Sequence, residues 1–76
     1  MKFNIEHYMD GLPQRFDNEY DLPLDETVEA LLYYDVISSK FTEDEIRQMC
    51  INMEYTYKMV GTRWSEIKIT KVKGGN

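Results

Sequence analysis

The sequence contains little of the chemistry that most enzymes and metal sites need. It has one cysteine, Cys50, and one histidine, His7. A single cysteine excludes a disulfide within one chain and fits a reducing, intracellular compartment. Transition-metal sites use clustered histidine and cysteine ligands, so one of each is too few for such a site. We therefore expect neither a metal ion nor any other cofactor.

The surroundings predicted for these two residues do not favour catalysis. His7 falls on the apolar face of an alternating segment, where a hydrogen-bonded imidazole is more common than a catalytic base. Cys50 falls on the core face of a predicted helix, where cysteine behaves as a small hydrophobe. A thiol nucleophile needs a lowered pKa and a positioned base, and nothing in the sequence places His7 beside Cys50. The protein is predicted not to be an enzyme.

Long apolar runs are also missing. No segment approaches the roughly 20 apolar residues of a membrane span, and the N-terminal "MKFNIEHYMD" lacks the apolar core of a signal peptide. We expect a soluble, cytoplasmic protein without a membrane partner. Hydrophobic residues make up 42% of the chain, which is enough for one small core. A single domain is predicted over residues 1–73, with a flexible tail at 74–76.

The sequence pattern predicts an α+β fold of order ββααβ, with two helices on one face of a small antiparallel sheet. Residues 2–9 alternate as in a half-buried strand, with Phe3, Ile5, His7 and Met9 on one face. Asp10-Gly11 is a strong turn signal. Residues 14–22 are predicted to form a second strand that ends at Pro23. A third strand is predicted within residues 63–73, where Ile67 and Ile69 alternate with polar residues.

Two helices are predicted between the second and third strands. The first starts near Glu26 with Asp25 as its cap. Its apolar positions are Val28, Leu31, Leu32 and Val36. The second starts at Thr42, which forms a capping box with Glu45, and stops at Gly61. Its apolar positions are Ile46, Met49, Cys50, Met53, Tyr57 and Val60.

The segment "FDNEYDLPLDE", residues 16–26, raises the possibility of a calcium loop. Asp17, Glu19 and Asp21 fill its first, third and fifth positions. Such a loop also needs glycine at the sixth position and a bidentate glutamate at the twelfth. Leu22 and Val28 stand there instead, so we reject a calcium site.

The formal net charge of −5 conceals a split along the chain. Residues 1–45 contain 12 acids and 3 bases, a charge of −9, whereas residues 46–76 contain 2 acids and 6 bases, a charge of +4. This asymmetry favours electrostatic partners. We interpret Lys68, Lys71 and Lys73 as protection of a sheet edge. Nucleic-acid binding by these lysines beside Arg63 and Trp64 is the alternative.

Many of the acids lie at helix starts, where the helix dipole explains them. The row Asp17, Glu19 and Asp21 has no such reason. Alternate residues of a strand stand about 6.7 Å apart, close to two phosphate steps of about 3.4 Å along a DNA strand. The row would therefore imitate part of a phosphate backbone. The alternative is a strand face kept polar for solubility, although packed like charges destabilise a small domain.

The predicted binding surface combines this acidic row with acids of the first helix and with exposed tyrosines as anchors. Its residues are Asp17, Glu19, Asp21, Asp25, Glu26, Glu29, Tyr8, Tyr33 and Tyr34. The expected partner is a basic nucleic-acid-binding protein. Direct nucleic-acid binding is not expected, and a homodimer is an open possibility.

The chain resembles the small acidic early proteins of bacteriophages. The resemblance rests on size, split charge, missing catalytic groups and a surplus of tyrosine in "LLYYD" (31–35) and "MEYTY" (53–57). It is one of style along the whole chain, and no functional residue is carried over from it. It implies a non-enzymatic inhibitor, in the host cytoplasm, of a nucleoid protein, RNA polymerase or nuclease. The alternatives are a homodimeric assembly protein and a small transcription regulator that uses the basic C-terminal strand.

Overall fold

A sheet built around two long antiparallel strands forms the frame of the protein. The computed structural model describes residues 1–14, 18–54, 58–61 and 65–72. The strands are β1 (Lys2–Met9), β2 (Leu12–Pro13), β3 (Glu19–Pro23), β4 (Lys58–Gly61) and β5 (Ser65–Lys71). The helices are α1 (Leu24–Leu32), α2 (Asp35–Ser38) and α3 (Glu43–Asn52). The α+β class is confirmed, but the order is β1β2β3α1α2α3β4β5 rather than ββααβ.

β1 is the central strand of this sheet. It pairs with β5 on one side, and on the other side with β2 near its end and with β3 near its start. All these pairings are antiparallel, and β4 pairs with the far side of β5. β5 is therefore an interior strand.

The interior position of β5 changes the interpretation of its lysines. Edge protection is wrong for Lys68, which lies opposite Met59 of β4. Lys71 lies beyond the described pairing of β5 with β4, which ends at Ile69. Lys71 Nζ instead donates to the carbonyl oxygens of Ile51 and Met53, at 3.0 and 2.9 Å. These bonds satisfy carbonyl groups at the end of α3. Lys73 lies outside the described residues.

One face of the sheet is buried under the helices. Phe3, Ile5, Ile67 and Ile69 are fully buried, together with helix residues such as Leu31. This confirms the predicted alternation over most of β1 and β5. Met9 is the exception, since 47% of it is exposed at the last position of β1.

A tight turn connects β1 to β2, as predicted. Asp10 and Gly11 both have positive φ, 54° and 81°. This is the backbone that a two-residue hairpin turn requires. The backbone N–H of Gln14 then donates to the carbonyl oxygen of His7 at 2.8 Å.

An extra residue interrupts the pairing of β3 with β1. Phe3 pairs with Leu22, and Ile5 pairs with Glu19. Between these two pairs β1 contains one residue and β3 contains two, so β3 has one extra residue. Asp21 has a left-handed φ of 58°, and its N–H donates to the side-chain oxygen of Asn4 at 2.9 Å. Such a bulge shifts side chains between faces. Uniform alternation along the predicted second strand is therefore wrong between Glu19 and Leu22, whereas Phe16 and Asp17 lie outside the described residues.

The first helical region is shorter and differently capped than predicted. α1 starts at Leu24 after Pro23, so Asp25 lies inside the first turn and is not the cap. The hydroxyl of Thr27 donates back to the carbonyl oxygen of Pro23 at 2.8 Å. α1 ends at Leu32, and Val36 belongs to the separate short helix α2.

The capping box of α3 is confirmed, whereas its predicted length is wrong. The Glu45 N–H donates to the Thr42 hydroxyl, and the Glu45 carboxylate accepts from the Thr42 N–H at 2.8 Å. The helix ends at Asn52, and Val60 and Gly61 belong to β4. Pairing with β5 overrides the helical spacing of the apolar residues here. Tyr57, Trp64 and the tail at 74–76 lie outside the described residues.

None of the helices in the described parts of the chain has the length and apolar character needed to cross a membrane.

Gly61 is predicted to tolerate no side chain. Its φ is +153°, and an added Cβ would overlap the Ser65 carbonyl oxygen and lie 2.8 Å from the Glu66 Cα. Gly61→Ala should lower the free energy of unfolding by about 2–3 kcal/mol, measured by urea denaturation. Gly11→Ala is the matched control: its φ is +81°, but nothing lies within 4 Å of the new atom. A smaller loss, about 1 kcal/mol, is expected there. Equal losses would contradict the role of close packing at Gly61.

Candidate partner-binding site

A shallow pocket at the junction of β3 and α1 brings together four of the predicted binding residues. Glu19 comes from β3, Glu26 and Glu29 come from α1, and Tyr33 directly follows α1. The pocket has a volume of about 160 Å³. We call it the acidic pocket; its residues are Glu19, Leu22, Glu26, Glu29, Ala30 and Tyr33.

The local fold explains why these side chains meet. α1 begins directly after β3. Because Glu19 at the start of β3 and Tyr33 after the end of α1 line the same pocket, the helix folds back along the strand. Glu26 and Glu29 are three residues apart and therefore neighbours on the helix surface. Leu22 and Ala30 are half-buried against the core and provide an apolar surface between the acids.

The acidic pocket is accessible from solvent. Glu19, Glu26 and Glu29 are all exposed, and Tyr33 is exposed by 81%. Glu26 lies in the first turn of α1, where the helix dipole favours a negative charge. Three carboxylates around one pocket create a local negative potential that attracts cations.

Asp25 lies apart from the acidic pocket, although it was predicted to belong to the same surface. Its Oδ1 is 2.5 Å from a guanidinium nitrogen of Arg47 on α3, and Glu43 lies 3.6 Å from the same guanidinium. The hydrogen bond to Asp25 raises the pKa of Arg47 above its ordinary value. A base from the second half of the chain therefore balances the charge of Asp25.

The acidic row predicted for residues 17–21 does not form an evenly spaced series. Asp21 is exposed at the bulge of β3 and does not line the acidic pocket. Because β3 carries an extra residue, the spacing of a regular strand does not apply between Glu19 and Asp21. Asp17 lies outside the described residues.

The three tyrosines predicted as anchors differ in their surroundings. Tyr33 is exposed, as expected. Tyr34 is half-buried against the core, with its ring centroid 5.2 Å from that of His7. Tyr8 is half-buried on the outer face of the sheet, where Lys68 Nζ lies 4.8 Å from its ring centre. The prediction of an exposed anchor is thus wrong for Tyr8 and Tyr34.

Sequence reasoning missed three residues near this surface. Leu22 and Ala30 line the acidic pocket. Tyr20, which directly follows Glu19 in the sequence, is 54% exposed. A regular strand would place Tyr20 on the same face as the half-buried Leu22, and no local sequence signal indicates the bulge. The apolar spacing of α1 could have identified Ala30, which lies one turn after Glu26.

The two residues typical of enzymes are buried. His7 is 8% exposed, and its Nε2 lies 2.8 Å from the Ser65 hydroxyl. The prediction of a hydrogen-bonded imidazole is confirmed. Cys50 is fully buried, and desolvation raises its pKa to about 11. Among the described residues, no group of three or more His, Cys, Asp or Glu side chains is placed to hold a metal ion.

Comparison with known proteins finds no matching family model, no matching curated protein and no matching solved structure.

Burial of Cys50 predicts a pH effect on stability. Because its pKa is raised to about 11 in the folded state, the neutral thiol contributes stability below the pKa of an unfolded thiol, about 8.5. This contribution is lost as the pH rises through 11, since the unfolded chain releases its proton first. Unfolding in urea at pH 8 and 10.5 should show a loss about 2 kcal/mol larger in wild type than in Cys50→Ala. An identical pH dependence in both proteins would contradict the prediction.

Proposed function

We propose that the protein is a non-enzymatic inhibitor that binds a basic nucleic-acid-binding protein through the acidic pocket. The observation that carries the proposal is the convergence of three exposed carboxylates beside the exposed ring of Tyr33. Asp21 is exposed on the same strand as Glu19 and adds to the negative charge of β3.

The shape and chemistry of the acidic pocket suit an arginine or lysine side chain. Carboxylates of Glu19, Glu26 and Glu29 would accept charge-assisted hydrogen bonds from a guanidinium or ammonium group. The ring of Tyr33 offers a face for a cation–π contact. The aliphatic part of the entering side chain would pack on Leu22 and Ala30. Tyrosine is also enriched among interface residues that contribute most to affinity.

The charge distribution along the chain supports competition with nucleic acid. Residues 1–45 carry a charge of −9, and these include the whole acidic pocket. Such a field accelerates encounter with a basic surface and weakens as salt increases. A partner that uses the same basic surface for DNA could not bind both at once. Inhibition would follow from occupation of that surface.

The resemblance to small acidic early proteins of bacteriophages supports a target in a bacterial host. Targets of this class are nucleoid proteins, RNA polymerase and nucleases. The target would then be met in the host cytoplasm, and the phage origin is part of the proposal.

The basic C-terminal strand is a weaker candidate for function. Lys71 is bonded to carbonyl oxygens at the end of α3, so a transcription regulator that binds DNA through this lysine would have to break those contacts. A homodimeric assembly protein remains the second candidate, favoured by the exposed side chains of Tyr33 and Leu12. Sedimentation at two salt concentrations would reveal such a dimer.

The proposed function predicts that the three glutamates of the acidic pocket determine the affinity for the basic partner. The variant Glu19→Gln/Glu26→Gln/Glu29→Gln and wild type are immobilised, exposed to a bacterial lysate, and eluted with a short DNA duplex. Proteins that DNA releases from wild type are identified by mass spectrometry, purified and titrated against both proteins across salt concentrations. We expect wild type to bind at least tenfold more tightly than the variant, with a steeper salt dependence.

A second triple variant provides the control for charge. Asp10→Asn/Asp35→Asn/Glu54→Gln removes three exposed acids elsewhere and changes the net charge by the same amount, from −5 to −2. It should bind nearly as well as wild type. Equal weakening of both variants would show that net charge alone matters. If the partner bound DNA and this protein at the same time, the two would not compete for one surface, and the proposed inhibition would be contradicted.

A further inference from the structure

An open groove runs along α3 on a different part of the surface from the acidic pocket. It has a volume of about 440 Å³, and most of its exposed lining is apolar. Phe41 and Met49 are half-buried and form its base, while the surrounding polar side chains are exposed. We call it the α3 groove; its residues are Phe41, Asp44, Glu45, Gln48, Met49 and Asn52.

The geometry of α3 separates this groove from α1. Glu43 and Arg47 face α1 and line the cleft between the two helices. At 3.6 residues per turn, the residues of the α3 groove lie roughly 150° around the helix from that pair. Ile46 and Cys50 lie on the remaining face of α3, and their side chains are buried in the core. The groove is thus a separate outer surface of α3.

We propose that the α3 groove binds an amphipathic, basic helix of the partner protein. An apolar side chain of that helix would lie between Phe41 and Met49, and its lysines or arginines would face Asp44 and Glu45. This inference rests on the proposed function in one respect, which is the positive charge of the partner. It adds an apolar contact that the acidic pocket does not supply.

Charge and shape together favour this occupant. Asp44 and Glu45 are exposed at the groove and would repel an acidic segment while attracting a basic one. The capping box uses one carboxylate oxygen of Glu45, but the negative charge remains available. The groove follows α3 from Asp44 to Asn52, about 12 Å, which matches roughly two turns of a docked helix. Methionine adapts its shape readily to an incoming apolar side chain.

Three synthetic peptides of 14 residues test the inference directly. The first carries leucines at helical spacing and lysines elsewhere. The second replaces every leucine by glutamine, and the third replaces every lysine by glutamate. Each is titrated into isotope-labelled protein, and the backbone amide resonances of Gln48, Met49 and Asn52 are followed by NMR. We expect the first peptide to shift these amides with at least tenfold higher affinity than either of the others.

Two substitutions on α3 localise the contact. Met49→Gln places a polar group in the groove, whereas Ile51→Gln is the matched control on the same helix, because Ile51 is exposed but lies outside the groove. Met49→Gln should weaken binding of the lysine–leucine peptide about tenfold, and Ile51→Gln should leave it unchanged. Thermal unfolding of both variants establishes that they fold.

The results separate this inference from the proposed function. Glu19→Gln/Glu26→Gln/Glu29→Gln should retain the shifts at α3, because the groove contains none of these residues. Equal affinity for the lysine–glutamine peptide would overturn the inference, as would equal effects of Met49→Gln and Ile51→Gln. Concentration-dependent shifts of the groove amides without any peptide would identify a second copy of the chain as the occupant, which also overturns it.

Discussion

Pairing of β1 with β5 is the constraint on which the remaining structure depends. It joins Phe3–Met9 to Ser65–Lys71, segments from opposite ends of the sequence, and places their apolar residues on one face. The helices bury that face, so hydrophobic burial and strand pairing stabilise the same surface. Because β5 occupies one side of β1, β3 can pair only on the other side. That choice determines where Glu19 lies relative to α1.

The acidic pocket is compatible with this frame because its three carboxylates lie on the surface and not in the core. Repulsion among neighbouring surface carboxylates is worth only a few tenths of a kcal/mol per pair, far less than burial of a core isoleucine, about 1.5–3 kcal/mol. A small domain can therefore keep several acids together at one corner without losing its core. The α3 groove likewise leaves the core intact. Phe41 and Met49 are half-buried against the core, while the surrounding polar groups reach solvent. The core and these two surface features therefore occupy different faces of the same elements.

Local sequence signals predicted the elements that local interactions determine. Alternation identified β1 and β5, Asp10-Gly11 identified the turn, and Thr42 with Glu45 identified the start of α3. The bulge at Asp21 and the end of α3 depend on strand pairing and were not predictable from periodicity. Within the site, Glu19, Glu26, Glu29 and Tyr33 were predicted as members of one surface, but their meeting at a single pocket required the chain reversal after β3. The ion pair of Asp25 with Arg47 and the contact of Tyr34 with His7 were not predictable from local patterns, because these partners are distant in sequence.

The long separation between β1 and β5 has a consequence for biosynthesis. While a ribosome is still adding residues 65–71, β1 has emerged but lacks its principal neighbour, and its apolar face cannot be fully covered. The end of α3 is also incomplete until Lys71 becomes available. Completion of the core is therefore postponed until translation has passed these residues, and an apolar strand face that is exposed in that interval favours aggregation.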